Sequence, residues 1–334
     1  MRKPILPAFL IFLLPFFACQ NNELRIDTSD INLDIEINRI DNDLFNIDTT
    51  NVWEEIHRLS TKYDPFWDLY TYRILNIGGT NDRLFADRLL EFINDPVILE
   101  SYSESQNVFG TSQYLKEELT SAFKHYLYYF PEKKIPEVYT YIGGFNQSVV
   151  TDENLLGIGL DKYLGDKSKF YYQLQFPNFA RKKLIKENIA IDCMRAWATM
   201  EFPYNDSIDN VLNTMIYFGR QLHFLKAMLP EKHDSAIIRF SYNDLKYCIN
   251  NEKEMYAYLI EHKFLYSSKF KDIKRFTNDG PFTSGFKNSP ARVGNWIGWQ
   301  IVRNYLKHNS DEKLDELMQN GDYQEIFIAS KYNP

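Results

Sequence analysis

The stretch VYTYIGGFNQSVVTDENLLGIGLDKYLG, residues 138–165, decides the fold because it reads as strands joined by tight turns. Residues 138–142 are mainly β-branched or aromatic, which suits a strand, and Gly143-Gly144 then predicts a turn or bulge. Two further strand-like segments lie within residues 148–160. A helix predicted over residues 187–201 follows, and we expect it to pack beneath the strands.

Helical spacing dominates the rest of the chain. Ser112 and Ser207 are expected to cap two long helices. Ser289-Pro290 is expected to begin another, because proline at the first turn of a helix loses no hydrogen bond. In that helix Gly294 and Gly298 are four positions apart, which predicts a flat strip where a second backbone can approach closely.

The N-terminal part of the domain contributes one predicted strand. Residues 31–37 alternate between apolar and polar side chains, as a half-buried strand does. No repeat or low-complexity linker divides the chain beyond this point, so residues 31–334 are predicted to form a single domain. The fold class that we predict is α+β, mostly helical with a small antiparallel sheet.

Residues 1–18 have the order of a secretory signal. Arg2 and Lys3 precede an apolar run that is too short to span a membrane comfortably, and Ala18 and Cys19 follow it. This order predicts a bacterial lipoprotein signal peptide over residues 1–18, with Cys19 as the lipidated first residue of the mature chain. An ordinary signal peptide with a chance cysteine is the alternative.

Residues 19–30 are mainly polar and are predicted to form a tether. Acyl chains on Cys19, such as palmitate, would bury methylene groups in the membrane and hold the chain there. The chain is therefore expected in the cell envelope, facing the periplasm. Gln20 follows the cysteine in place of an inner-membrane retention aspartate, which favours the outer membrane over the inner one.

Composition excludes one class of partner. The formal net charge is −7, so the chain has no basic excess with which to displace counterions from nucleic acid. The basic runs at 181–183 and 269–275 are short and are interpreted as solvated faces. Cys193 and Cys248 each lie in an apolar helical context, which favours free buried thiols, although an oxidising envelope would permit a disulfide.

The histidines do not form a zinc motif. A zincin needs two histidines four residues apart on a helix, with a glutamate after the first. None of the six histidines has this neighbourhood; they are His57, His125, His223, His233, His262 and His308. A nucleophile elbow and a phosphate-binding loop are also missing from the sequence. We therefore predict no catalytic residue, cofactor site or metal site, and we expect Asp161, Asp192 and Glu201 to cap helices or form ion pairs.

Five segments together resemble the GldB family of gliding-motility lipoproteins. They are INRIDNDLF (37–45), YYFPEKKIPEVYTYIGGFNQSVV (128–150), GIGLDKYLG (157–165), TMIYFGRQLHFLKAMLP (214–230) and PARVGNWIGWQIVRNYL (290–306). The family is similar, more remotely, to predicted zinc peptidases whose ligand helix would correspond to residues 192–197. The resemblance therefore implies a zincin- or gluzincin-like scaffold that lacks the metal motif, and a helix around Gly219 in place of the third-ligand helix.

The resemblance also implies a function. It indicates a role in the envelope machinery of surface gliding, which is tied to type IX protein secretion. We expect a non-catalytic, lipid-anchored protein that binds components of that machinery, with Tyr139, Tyr141 and Asp161 as a docking surface. The alternatives are a peptidase-like hydrolase with an unusual metal site and a ligand-binding envelope lipoprotein.

Overall fold

A computed structural model describes residues 24–334 of the chain. The predicted signal peptide, Cys19 and the first part of the tether lie outside this range. Within it, the helices are all too short or too polar to cross a membrane.

The sheet has four strands and lies near the middle of the fold. The strands are β1 (Ile37–Arg39), β2 (Glu137–Tyr141), β3 (Val149–Asp152) and β4 (Leu155–Gly159), in the spatial order β1-β2-β4-β3. Only β3 and β4 pair antiparallel; β1 pairs parallel with β2, and β2 pairs parallel with β4. The α+β class is confirmed, but the sheet is mixed, because helices carry the chain from β1 back to β2 in the same direction.

Six helices separate β1 from β2, and a seventh and an eighth follow β4. They are α1 (Ile40–Phe45), α2 (Val52–Lys62), α3 (Phe66–Asp68), α4 (Phe85–Asn94), α5 (Pro96–Phe109), α6 (Gln113–Tyr129), α7 (Lys169–Gln173) and α8 (Asn178–Arg181). A π-helical turn, Leu69–Ile74, continues α3. Ser112 occupies the cap position of α6 as predicted, but its side chain makes no capping hydrogen bond.

The rest of the described chain is helical. The helices are α9 (Ile189–Glu201), α10 (Val211–Met228), α11 (Asp234–Ile238), α12 (Tyr242–Asn250), α13 (Glu252–Glu261), α14 (Phe270–Thr277), α15 (Val293–His308), α16 (Leu314–Gln319) and α17 (Tyr323–Ser330). The predicted cap at Ser207 is wrong, because the side chain of Asn210 accepts the capping hydrogen bond of α10. Helix α15 begins at Val293, three residues beyond Pro290.

The strand predicted over residues 31–37 is largely wrong. Ile35 is buried, as the alternation predicted, but its backbone N–H donates to the Thr120 hydroxyl of α6 at 3.2 Å instead of to a strand. Regular pairing begins only at Ile37. Alternation thus predicted which side chains face the core, but not the partner of the backbone.

Both faces of the sheet are covered. Val138, Leu156 and Ile158 point into a large core shared with α6, α9, α10 and α15. The opposite face carries Tyr139 and Tyr141, which pack into a second core with α2, α3 and α4. Burial on both faces is the usual setting of parallel strands, whose side chains are apolar in near-continuous runs.

Helices α10 and α15 cross at unusually close range. A Cβ atom at Gly298 would collide with the backbone carbonyl of Met215, and one at Gly219 would collide with the backbone of Gly298. Two glycines therefore allow the backbones to touch, as the spacing of Gly294 and Gly298 predicted for α15. This contact fixes the helical layer that supports α9.

Candidate functional site

Helix α9 forms one wall of a surface cleft. Asp192, Arg195 and Ala196 lie three and four residues apart on one helix face, so they share that wall. Strand β3 lies opposite. Arg239, the residue that directly follows α11, closes one end of the cleft. The cleft has a volume of about 430 Å³ and is lined by Ser148, Val149, Thr151, Asp192, Arg195, Ala196, Thr199, Met200 and Arg239.

Asp192 is held by two partners. Its Oδ2 accepts a hydrogen bond from the Tyr163 hydroxyl at 2.8 Å, and its Oδ1 forms an ion pair with Arg239. The side chains of Asp192 and Arg239 are 14% and 15% exposed, so water screens the pair only in part. Burial raises the pKa of Tyr163 and keeps it a hydrogen-bond donor. The predicted ion-pairing role of Asp192 is therefore confirmed, and Glu201 likewise pairs with Lys133 at 2.5 Å.

The opposite face of α9 is core. Cys193, Met194 and Trp197 are buried within the large hydrophobic cluster. Burial raises the pKa of the Cys193 thiol well above its usual range, so the thiol stays protonated. Across residues 24–334 no three His, Cys, Asp or Glu side chains come close enough together to hold a metal ion.

Tyr139, Tyr141 and Asp161 do not form a docking surface. All three are at most 2% exposed. The ring of Tyr139 stacks on Phe66 with ring centroids 4.4 Å apart, and the Tyr70 hydroxyl donates to the Ile142 carbonyl on the same side. The helical layer that contains these aromatic residues covers the strand, so a partner cannot reach the predicted residues in this conformation.

Asp161 instead holds the turn after β2. Its Oδ2 accepts hydrogen bonds from the backbone N–H groups of Gly143 and Phe145, at 3.1 and 2.6 Å. Its Oδ1 is buried and has no hydrogen-bond partner within the described part of the chain. Burial raises the pKa of this carboxyl, and the two backbone hydrogen bonds lower it. Burial has the larger effect, and the resulting pKa is about 6. The predicted turn is thus fixed by a buried carboxyl group.

Sequence reasoning missed the basic side chains around the cleft. Arg239 and Arg292 are separated by 53 positions in the sequence, and both lie far along the chain from α9. No local pattern therefore indicated that they would meet. The prediction of a solvated face is wrong for Lys183, because its side chain is only 15% exposed and pairs with Asp279. The basic run at 181–183 was the one signal that pointed to this region.

The architecture defines a mostly helical α+β protein. On α9, the helix that corresponds in the resemblance to a zinc-ligand helix, Asp192 forms an ion pair with Arg239. The chain belongs to the family described as gliding motility protein GldB, whose match covers residues 21–334, nearly the whole sequence. This membership assigns a role in gliding motility, and the family label marks its members as lipoproteins. No curated protein and no solved structure matches the chain significantly.

Proposed function

We propose that the protein serves gliding motility as a lipid-anchored component of the cell envelope that binds other proteins and catalyses no reaction. Cys19 would carry the anchor, and the partners would be envelope proteins of the gliding and type IX secretion machinery. The scaffold would then be a pseudo-peptidase, in which a helix that carries metal ligands in similar proteins serves only to support the fold. The outer membrane is the expected location.

The observation that supports a non-catalytic role is the bonding of Asp192. A metal-bound or catalytic carboxylate directs an oxygen at the metal or the substrate. Here one oxygen accepts from Tyr163 and the other pairs with Arg239. One helical turn further on, Ala196 has no group that can bind a metal. Both oxygens of Asp192 are thus bonded to side chains from other parts of the fold.

Two measurements on the purified full chain and one in cells test this proposal. Elemental analysis should show no stoichiometric zinc, and a peptide library should stay uncleaved. Cross-linking in cells followed by mass spectrometry should recover envelope proteins bound to the chain. Stoichiometric zinc together with peptide hydrolysis, both lost when Asp192 or a histidine is replaced, would instead establish the hydrolase alternative.

A further inference from the structure

Three arginines from distant parts of the chain meet at the end of α11. The Nη2 atoms of Arg195 and Arg292 donate to the backbone carbonyls of Ile237 and Ile238, each at 3.0 Å. Arg239 is the next residue in the chain. Carbonyls at the C-terminal end of a helix carry partial negative charge, which is why cations gather there.

Donors on two of these arginines remain unpaired. The Nε atoms of Arg195 and Arg239 are buried and have no hydrogen-bond partner among residues 24–334. A buried donor without a partner is destabilising. Arg239 and Arg292 also have backbone φ angles of 58° and 61°, in the left-handed region that residues other than glycine rarely occupy. The described part of the chain therefore leaves donors of this group unused.

The group carries more positive than negative charge. Asp279 lies between Lys183 and Arg292. Its carboxylate pairs with the Lys183 ammonium, and its Oδ1 atom lies 2.9 Å from the Nε atom of Arg292. Burial lowers the pKa of Lys183, and the charge of Arg292 lowers it further, to about 8. Burial and the same charge lower the pKa of Arg195 to about 10. Two carboxylates, Asp192 and Asp279, thus face four cationic groups.

These groups open onto a large cavity. Arg239 lines both the cleft beside α9 and a second cleft of about 1060 Å³. The second cleft also contains Lys183, Asp279 and Arg292. Its remaining walls include Phe179, Phe240, Pro281 and Pro290, so an organic group would find apolar surface beside the cations. We name this second cleft, with Lys183, Arg239, Asp279 and Arg292 in its wall, the arginine cleft; Arg195 lines only the cleft beside α9.

We propose that the arginine cleft binds a dianionic phosphoryl group, either free phosphate or the phosphate end of an organic ester. The cleft is lined by five cationic side chains, Lys182, Lys183, Lys232, Arg239 and Arg292, and by three carboxylates, Glu187, Asp244 and Asp279. The excess of two positive charges matches a dianion. Guanidinium groups donate in a planar fork that suits phosphoryl oxygens. This inference concerns a site that the role in gliding does not require, so it stands or falls separately from it.

Calorimetric titration of the full chain, purified in non-ionic detergent at low salt and pH 7, tests the proposal. Inorganic phosphate and glycerol 3-phosphate are the probes, and sulfate is the competitor. We expect one molecule of probe to bind per chain. Tighter binding of glycerol 3-phosphate would identify an ester as the ligand, and tighter binding of phosphate would identify the free anion.

Two substitutions should act in opposite directions, which separates binding from misfolding. Lys183→Met should weaken phosphate binding about tenfold, because it removes one charge-assisted contact. Asp279→Asn should tighten binding several-fold, because Asp279 competes with the ligand for Lys183 and Arg292. Lys116→Met is the matched control, since Lys116 also pairs with one aspartate, Asp34, at 2.7 Å but lies outside the cleft. Absence of binding by both probes, equal affinity for sulfate, or an unchanged affinity in Lys183→Met would overturn the proposal.

Discussion

The carboxylate of Asp192 on α9 pairs with the guanidinium of Arg239, which follows α11 in the chain. This ion pair joins the helix beneath β3 to the wall of the arginine cleft. It also engages an acidic side chain that faces the cleft beside α9. The pair is therefore central to the stability of this region.

Removal of Asp192 should destabilise the fold. Asp192→Ala leaves Arg239 without its counter-charge in a poorly hydrated position. We expect a loss of about 2–3 kcal/mol, at or just below the values for broken buried pairs, because both side chains are slightly exposed. Urea unfolding at pH 7 measures it. Asp34→Ala breaks the more exposed pair with Lys116 and should cost less than about 1 kcal/mol. Equal losses in the two variants would show that the pair with Arg239 contributes no more than a surface contact.

The close approach of α10 and α15 predicts a second effect on stability. In Gly298→Ala the new methyl group meets the carbonyl of Met215, and only movement of one backbone can relieve the contact. We expect a loss of about 3 kcal/mol, the upper end for overpacked sites. Gly321→Ala is the control, because its Cβ would meet open space. Thermal unfolding of the two variants should differ clearly, and similar melting temperatures would contradict the close crossing.

The buried carboxyl of Asp161 predicts a dependence of stability on pH. Its pKa in the folded protein is about 6, above the ordinary value of 3.8, so between pH 4 and pH 6 the folded chain binds more protons than the unfolded chain. The contribution of this group is fully present below pH 4 and is lost as pH rises through 6, by roughly 3 kcal/mol. Asp161→Asn should therefore gain stability relative to the wild type across this range.

Asp279 provides the opposite case. Its pKa is lowered despite burial, because Arg292 and Lys183 are close, so its stabilising contribution is present above pH 4 and is lost as pH falls. Asp279→Asn should lose stability relative to the wild type as pH rises. Denaturant unfolding from pH 3 to pH 7 distinguishes the two variants, and parallel curves for Asp161→Asn and the wild type would rule out the raised pKa.

The two cysteines of the described chain should be unreactive thiols. Cys193 and Cys248 are free and fully buried, and burial raises the pKa of each. A thiol reagent should therefore modify neither in the native protein and both after unfolding. Intact mass measured with and without reductant should not change. A mass difference of one disulfide, or rapid labelling of the native chain, would contradict this arrangement.

The sequence predicted the layers of the fold better than its connections. Helical spacing located α9, α10 and α15, because periodicity records which side chains are buried. It did not show that β1 pairs parallel with β2, since that contact joins residues about 100 positions apart. Tyr139 and Tyr141 were expected on the surface because local pattern does not reveal that α3 covers this face of the sheet.

The arginine cleft was harder to predict for the same reason. Arg195 is next to a core methionine on an apolar helix, and Arg239 and Arg292 lie in loops without a motif. Their proximity arises only when α9, α11 and α15 are packed. The net charge of −7 is a sum over the whole chain, so it does not reveal a local excess of positive charge.

The central claim is that this chain supports gliding from a lipid anchor on Cys19, and colony spreading tests it most directly. A deletion strain would be supplied with the wild-type gene or with the Cys19→Ala variant, and spreading on agar would be measured beside protein levels. We predict that the deletion abolishes spreading, that the wild-type gene restores it, and that Cys19→Ala at normal levels does not. Normal spreading of the deletion strain would contradict the role in gliding, and full rescue by Cys19→Ala would contradict the anchor.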